Sequence, residues 1–208
     1  MRLQYFARKY CMAPGLQHKF TVSAQACILG AVMVLIVPAP WLVAWLGSVI
    51  MHEGFHCLAL MLCHVKICQI KIGVQGTQIL TGTLTGGTAV ICALAGPAGG
   101  LLLVPLVNTF PRLALCALVH SVYNLLPVYP LDGGRALYGC LQLLFPEKSA
   151  AFICNIVAGV VLVVIAVVCV AVTFIWKLGI FPIFFAAVFS VSVLKRKMPC
   201  KYAGHGVQ

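Results

Sequence analysis

The chain has 208 residues, of which 62% are apolar and 8% charged, and its 14 lysines and arginines outnumber 3 acids to give a net charge of +11. So little charge excludes an ordinary water-soluble domain. At about 20 residues per bilayer crossing, the length holds one compact membrane bundle and no second domain.

In chain order, residues 1–19 form a basic segment. The small-residue triplet Ala24-Gln25-Ala26 precedes the first long apolar run instead of ending it, which argues against a cleaved signal peptide. Apolar runs between breakers predict six spans, at about 20–37, 41–64, 88–107, 112–131, 151–175 and 178–194. Turns are expected at Pro38-Ala39-Pro40, Phe110-Pro111-Arg112 and Gly133-Gly134. Residues 195–208 form a short basic tail. The expected class is therefore an all-α polytopic membrane protein, a six-helix domain over 20–194 between two basic segments.

Basic residues gather on the cytoplasmic side of membranes. With the N-terminus inside, only Arg112 and Lys177 of the 14 lie outside, so both termini are expected in the cytoplasm. The basic excess thus reads as orientation in the lipid bilayer and attraction to anionic headgroups, and no nucleic-acid partner is expected. Between the second and third spans, residues 65–87 alternate polar with apolar and are rich in Ile, Val, Thr and Gly. That pattern predicts a β-hairpin or small sheet at the cytoplasmic interface, with a flexible loop as the alternative. The 11 cysteines form no C-x-x-C pair and lie mostly in apolar runs, as small buried hydrophobes do.

The three acids are Glu53, Asp132 and Glu147. Glu147, beside Lys148 between two spans, reads as a residue near a helix start. The other two lie within or at the end of apolar runs, where an acid costs about 2.5 kcal/mol or more and ordinarily has an interior partner. Glu53 stands in His52-Glu53-Gly54-Phe55-His56, an H-E-x-x-H pattern that composition alone would produce roughly 0.0025 times in this chain. One helical turn apart, the two imidazoles can reach a single metal ion, and Glu53, about 100° round the helix, can touch water there. A hydrolytic zinc site needs a third protein ligand and an open fourth position. Asp132 is the leading candidate, with His120 and His64 as weaker ones.

Depth is consistent with this. Counted inward from Trp41 at 1.5 Å per residue, His52 and His56 lie about 16 and 22 Å into a ~30 Å core, and Asp132 ends a span that also runs inward. Pro127 and Pro130 break the helix ahead of Asp132, which is tolerated at membrane depth where the chain lines a cavity. His120 by itself reads as a hydrogen-bonded structural residue, and His64 with Cys63 and Cys68 as helix-end packing. Gly96, Gly99 and Gly100 read as sites of close helix approach, and Arg135 as a side chain snorkelling to the surface, within reach of Asp132 or a lipid phosphate.

HEGFH in the second span, AGPAGG at 95–100 and NLLPVYPLDGGRAL at 124–137 resemble the motifs of the site-2 protease family of intramembrane zinc metalloproteases. The N-x-x-P-x-x-P-L-D-G-G run, the six-span plan and the hairpin are most similar to the branch that processes a membrane-tethered sigma-factor precursor in sporulation. The resemblance spans about residues 20–195. It implies one zinc ion per chain on His52, His56 and Asp132, Glu53 as general base, and Asn124 and Pro130 beside the substrate. It further implies a transmembrane or membrane-tethered protein substrate, a regulatory membrane protein as candidate partner, and a bacterial cell membrane. Gly99 and Gly100 stand where many relatives carry a polar residue. The 208 residues contain neither the nucleotide-sensing domain nor the PDZ domain of other relatives, so regulation through either is not expected of them.

An enzyme of this kind uses zinc-activated water, with Glu53 moving the proton, and Asn124 suits a backbone contact or an oxyanion. The 65–87 segment offers a strand edge to an unwound substrate. The alternative function is a metal-ion or proton transporter using the same His/Glu/Asp cluster, which requires polar residues strung through the whole membrane depth. The outer halves of the spans are nearly bare, which favours the enzyme.

Overall fold

The structure is a computed structural model that describes residues 19–73, 76–81, 84, 86–176 and 181–194. The basic segments at 1–18 and 195–208 lie outside the described residues.

The first described element is a strand, β1 (Lys19–Val22), where the sequence pattern placed the start of the first span. Ser23 then caps α1 (Ala24–Ile36), its hydroxyl oxygen accepting from the Ala26 N–H at 3.1 Å. Pro38 and Pro40 begin α2 (Ala39–Leu62), where a missing N–H costs nothing. That helix ends on His64, which takes φ 53°. The Val65 N–H donates to the Leu60 carbonyl at 2.9 Å and the His64 N–H to that of Met61 at 3.0 Å. This pair of bonds is the usual closure around a left-handed residue, so His64 serves the helix end.

Next come β2 (Ile67–Gly73) and β3 (Gly76–Thr81), the expected hairpin. They extend a three-stranded sheet of order β1-β2-β3, with β1 parallel to β2 and β2 antiparallel to β3. The third strand was not expected, because Lys19–Val22 is too short to show alternation against the apolar run that follows it.

The remaining helices are α3 (Gly86–Leu101), followed by a 3-10 turn at Val104–Asn108, then α4 (Pro111–Asn124), α5 (Asp132–Leu144), α6 (Glu147–Trp176) and α7 (Phe181–Leu194). Each of the six expected apolar runs is helical over most of its length. Among the described residues, three segments are long and apolar enough to cross a membrane: Ala39–Leu62, Gly86–Asn108 and Glu147–Ile175. The helices α1, α4 and α7, of 13, 14 and 14 residues, fall short of the roughly 20 needed for a full crossing. Valines and Phe174 on α6 point outward, as on a helix immersed in hydrocarbon.

One expectation is corrected outright. Gly133-Gly134 is not a turn; it lies in the first turn of α5. Both glycines are buried against the 125–129 segment. A Cβ on Gly133 would strike the Leu125 carbonyl, and one on Gly134 the Tyr129 nitrogen. The pair therefore serves close packing and not chain reversal. Midway along α5, Gly139 lies against Val90 and the Gly86 carbonyl of α3. Tight seams of this kind recur, with Ala44, Ser48 and His52 of α2 and Ala114, Ala117 and Ser121 of α4 all buried.

Gly134→Ala should therefore cost about 1–3 kcal/mol, the usual range for overpacking, read as a lower thermal unfolding midpoint in detergent. Gly30→Ala, whose new methyl would meet open space, should not lower it. Equal midpoints for the two variants would contradict this packing.

Candidate metal centre

Helix α2 presents His52 and His56 one turn apart on one face. The carboxylate that meets them arrives on Asp132, the first residue of α5, where the positive end of the helix dipole favours a negative charge. Asp132 is held there by the segment before it. Val128 is fully buried and packs against Leu162 of α6 and Val193 of α7, while Tyr129 lies against Ala151 and Cys154. The Leu131 N–H closes back on the Val128 carbonyl at 2.9 Å.

The result is a tight triangle. His52 Nε2 is 3.0 Å and His56 Nε2 3.1 Å from Asp132 Oδ2, and the two nitrogens are 3.2 Å apart. His52 and Asp132 are 2% and 6% exposed, and His56 is half-buried. His56 Nδ1–H donates to the Cys92 carbonyl of α3 at 2.7 Å, which turns the lone pair of its Nε2 toward the triangle. With both Nε2 atoms unprotonated, these nitrogens and the carboxylate oxygen bring lone pairs together in a low-dielectric interior, a repulsion that a shared metal cation relieves, as does a ring Nε2–H donated to Asp132.

Zinc fits on these grounds. Ligand bonds of about 2.0–2.2 Å would need donor atoms about 3.3–3.6 Å apart, a few tenths of an ångström beyond the separations found, and two imidazoles with one carboxylate are a hydrolytic donor set. Among the described residues, His52, His56 and Asp132 are the group able to hold a metal ion. His120 and His64 are not in it. His120 on α4 instead sets its ring edge-on against His52, 4.6 Å between centroids.

Glu53 is half-buried and within electrostatic range of His52, His56, Asp132 and Arg135. Its carboxylate has no hydrogen-bond partner among the described residues, so it is available to a reactant. Arg135 Nη1 lies 3.8 Å from Asp132 Oδ1, the oxygen turned away from the triangle. At 50% exposure this pair is weak. Asn124 ends α4 one turn beyond His120 and donates to the His120 carbonyl at 3.0 Å. Pro130, after a cis peptide bond, is half-buried two residues before Asp132. Neither Asn124 nor Pro130 belongs to the triangle.

The glycines of AGPAGG make the site possible. A Cβ on Gly96 would occupy the place of the His56 ring, one on Gly99 that of Phe55, and one on Gly100 that of the Ser121 hydroxyl. One contributor escaped sequence reading: the Cys92 carbonyl is backbone and carries no residue-type signal.

No protein-family model and no curated protein sequence matches the chain. Among solved structures, the site-2 protease from Methanocaldococcus jannaschii superposes with a TM-score of 0.59 over 89% of this chain and 94% of that one, at 16% identity. The fold is that of a site-2 protease. At this identity the likeness speaks for architecture, and the chemistry rests on the residues themselves.

Zinc-loaded protein should carry about one ion per chain. Alanine at His52, His56 or Asp132 should weaken zinc binding by at least the ~100-fold typical of losing even an outer partner, whereas His120→Ala and His64→Ala should retain the ion through chelator washing. Loss of zinc from His120→Ala with retention in Asp132→Ala would reassign the third ligand.

Proposed function

We propose that the chain is an intramembrane zinc metalloendopeptidase of the site-2 type, hydrolysing peptide bonds of transmembrane or membrane-tethered proteins. The observation that carries this reading is the meeting of Asp132 with both imidazoles of H-E-x-x-H, Glu53 beside them, inside a site-2 protease fold. Zinc, when bound, supplies Lewis acidity toward the scissile carbonyl and an acidified water.

The chain's own groups do the rest. Glu53 takes the proton of the attacking water on a carboxylate oxygen and delivers it to the departing nitrogen. The Cys92 carbonyl fixes the tautomer and orientation of His56. Asn124, the last residue of α4, holds the substrate backbone or the developing oxyanion through its amide, and Pro130 lines the same approach. A helical substrate must be unwound locally before its backbone is accessible, and the β1-β2-β3 sheet offers an edge to which an extended segment adds as a strand.

In the same reading, all six apolar runs lie within a bacterial cell membrane, both termini face the cytoplasm, and a regulatory membrane protein controls substrate access. A sigma-factor precursor, as in the sporulation branch, or an anti-sigma factor is the substrate class favoured by the N-x-x-P-x-x-P-L-D-G-G run. The transporter reading fares worse. Buried polar side chains among the described residues are Ser48, His52, Ser121 and Asp132, of which His52 and Asp132 belong to the triangle and Ser48 and Ser121 carry no charge.

Co-expression with a membrane-tethered substrate tests the proposal. Glu53→Gln should lower processing by about 10²–10⁴-fold, the ordinary worth of a general base, with zinc content unchanged. Processing at the native rate by Glu53→Gln would remove the protease reading.

A further inference from the structure

Three side-chain atoms among the described residues are deeply buried and lack a hydrogen-bond partner: Ser48 Oγ, His52 Nδ1 and Ser121 Oγ. Their residues are 1%, 2% and 0% exposed. Interiors rarely leave such groups unanswered, and where no protein group reaches, an ordered water commonly does.

The two histidines of the triangle are unequal in this respect. Each turns Nε2 toward Asp132, and with Nε2 given to a metal ion each carries its remaining proton on Nδ1. For His56 that proton goes to the Cys92 carbonyl. For His52 no atom of the described residues accepts it. A metal-binding imidazole ordinarily donates its outer N–H to an acceptor that sets ring orientation and raises ligand basicity. Ser48 lies one turn before His52 on α2, and helical side chains lean toward the N-terminus, so its hydroxyl and the outer edge of the His52 ring share one flank of the helix. Ala114 and Ala117 of α4, the helix whose His120 ring meets His52, are themselves small and buried.

We infer that Ser48 is a positioning residue for His52: one buried water accepts the His52 Nδ1–H proton and donates to Ser48 Oγ. Such a bridge is nearly as favourable as a direct bond. The inference rests on the reading of His52 as a metal ligand through Nε2. Ser121 provides an internal comparison, since it is as deeply buried and equally unpartnered, yet its hydroxyl faces Gly100 of α3.

The test is zinc affinity of the full chain in detergent, by competition with a chelator. Ser48→Ala should bind zinc about 10–100-fold more weakly, the range for removing an outer partner of a ligand. Ser48→Thr and Ser48→Val add nearly equal bulk and differ in the hydroxyl, so Thr should stay within about threefold of its parent's affinity corrected for bulk while Val shows the Ala-like loss. Ser121→Ala should leave affinity unchanged. Equal affinities for the Thr and Val variants, or a Ser121→Ala loss matching that of Ser48→Ala, would overturn the inference while leaving the metal centre standing. A wild-type chain that takes up no zinc would overturn both.

Discussion

The molecule turns on one close meeting of polar atoms in an apolar bundle. Two imidazole nitrogens and a carboxylate oxygen are held 3.0–3.2 Å apart, close enough to hydrogen-bond through a ring proton or to share one cation. That meeting depends on rigid supports. His56 is pinned by the Cys92 carbonyl, and Asp132 is fixed by a short segment whose buried Val128 is wedged between α6 and α7.

Close packing of small residues provides those supports. Hydrocarbon gives no hydrophobic drive for helix association, so helices in lipid approach through glycine, alanine and serine and gain dispersion contacts. In this chain that rule has a chemical use. Gly96 gives the His56 ring its space, and Gly133 and Gly134 let α5 dock on the segment that carries Asp132. Polar groups and close helix packing share the same residues, so a substitution at Gly96 would displace the His56 ring although glycine itself has nothing to coordinate with.

The candidate metal-binding pattern was legible because it consists of rare residues. In a chain with 3 acids and 6 histidines, H-E-x-x-H and an acid after two prolines stand out against an apolar background, and the structure brings them together. The six helical runs were legible for a similar reason, since hydropathy reports them directly. What stayed hidden depends on backbone and context. Gly133-Gly134 looked like a turn because glycine pairs usually are, and only the neighbouring Leu125 and Tyr129 backbone reveals a packing role. Helix α5 mixes Arg135 and Gln142 with glycines and leucines, so no apolar run announced it. Strand β1 has only four residues and finds its partner, β2, across two intervening helices. The length of α4 was overestimated because Leu125, Leu126 and Val128 continue its apolar character after its helical geometry has ended.

X-ray absorption at the zinc edge of the loaded protein tests the central claim most directly, because the chain holds 11 cysteines that compete in principle for the same ion. The account requires nitrogen and oxygen neighbours alone at about 2.0–2.2 Å, with outer-shell scattering from two imidazoles. A sulfur neighbour at about 2.3 Å, or scattering from a single imidazole, would contradict it.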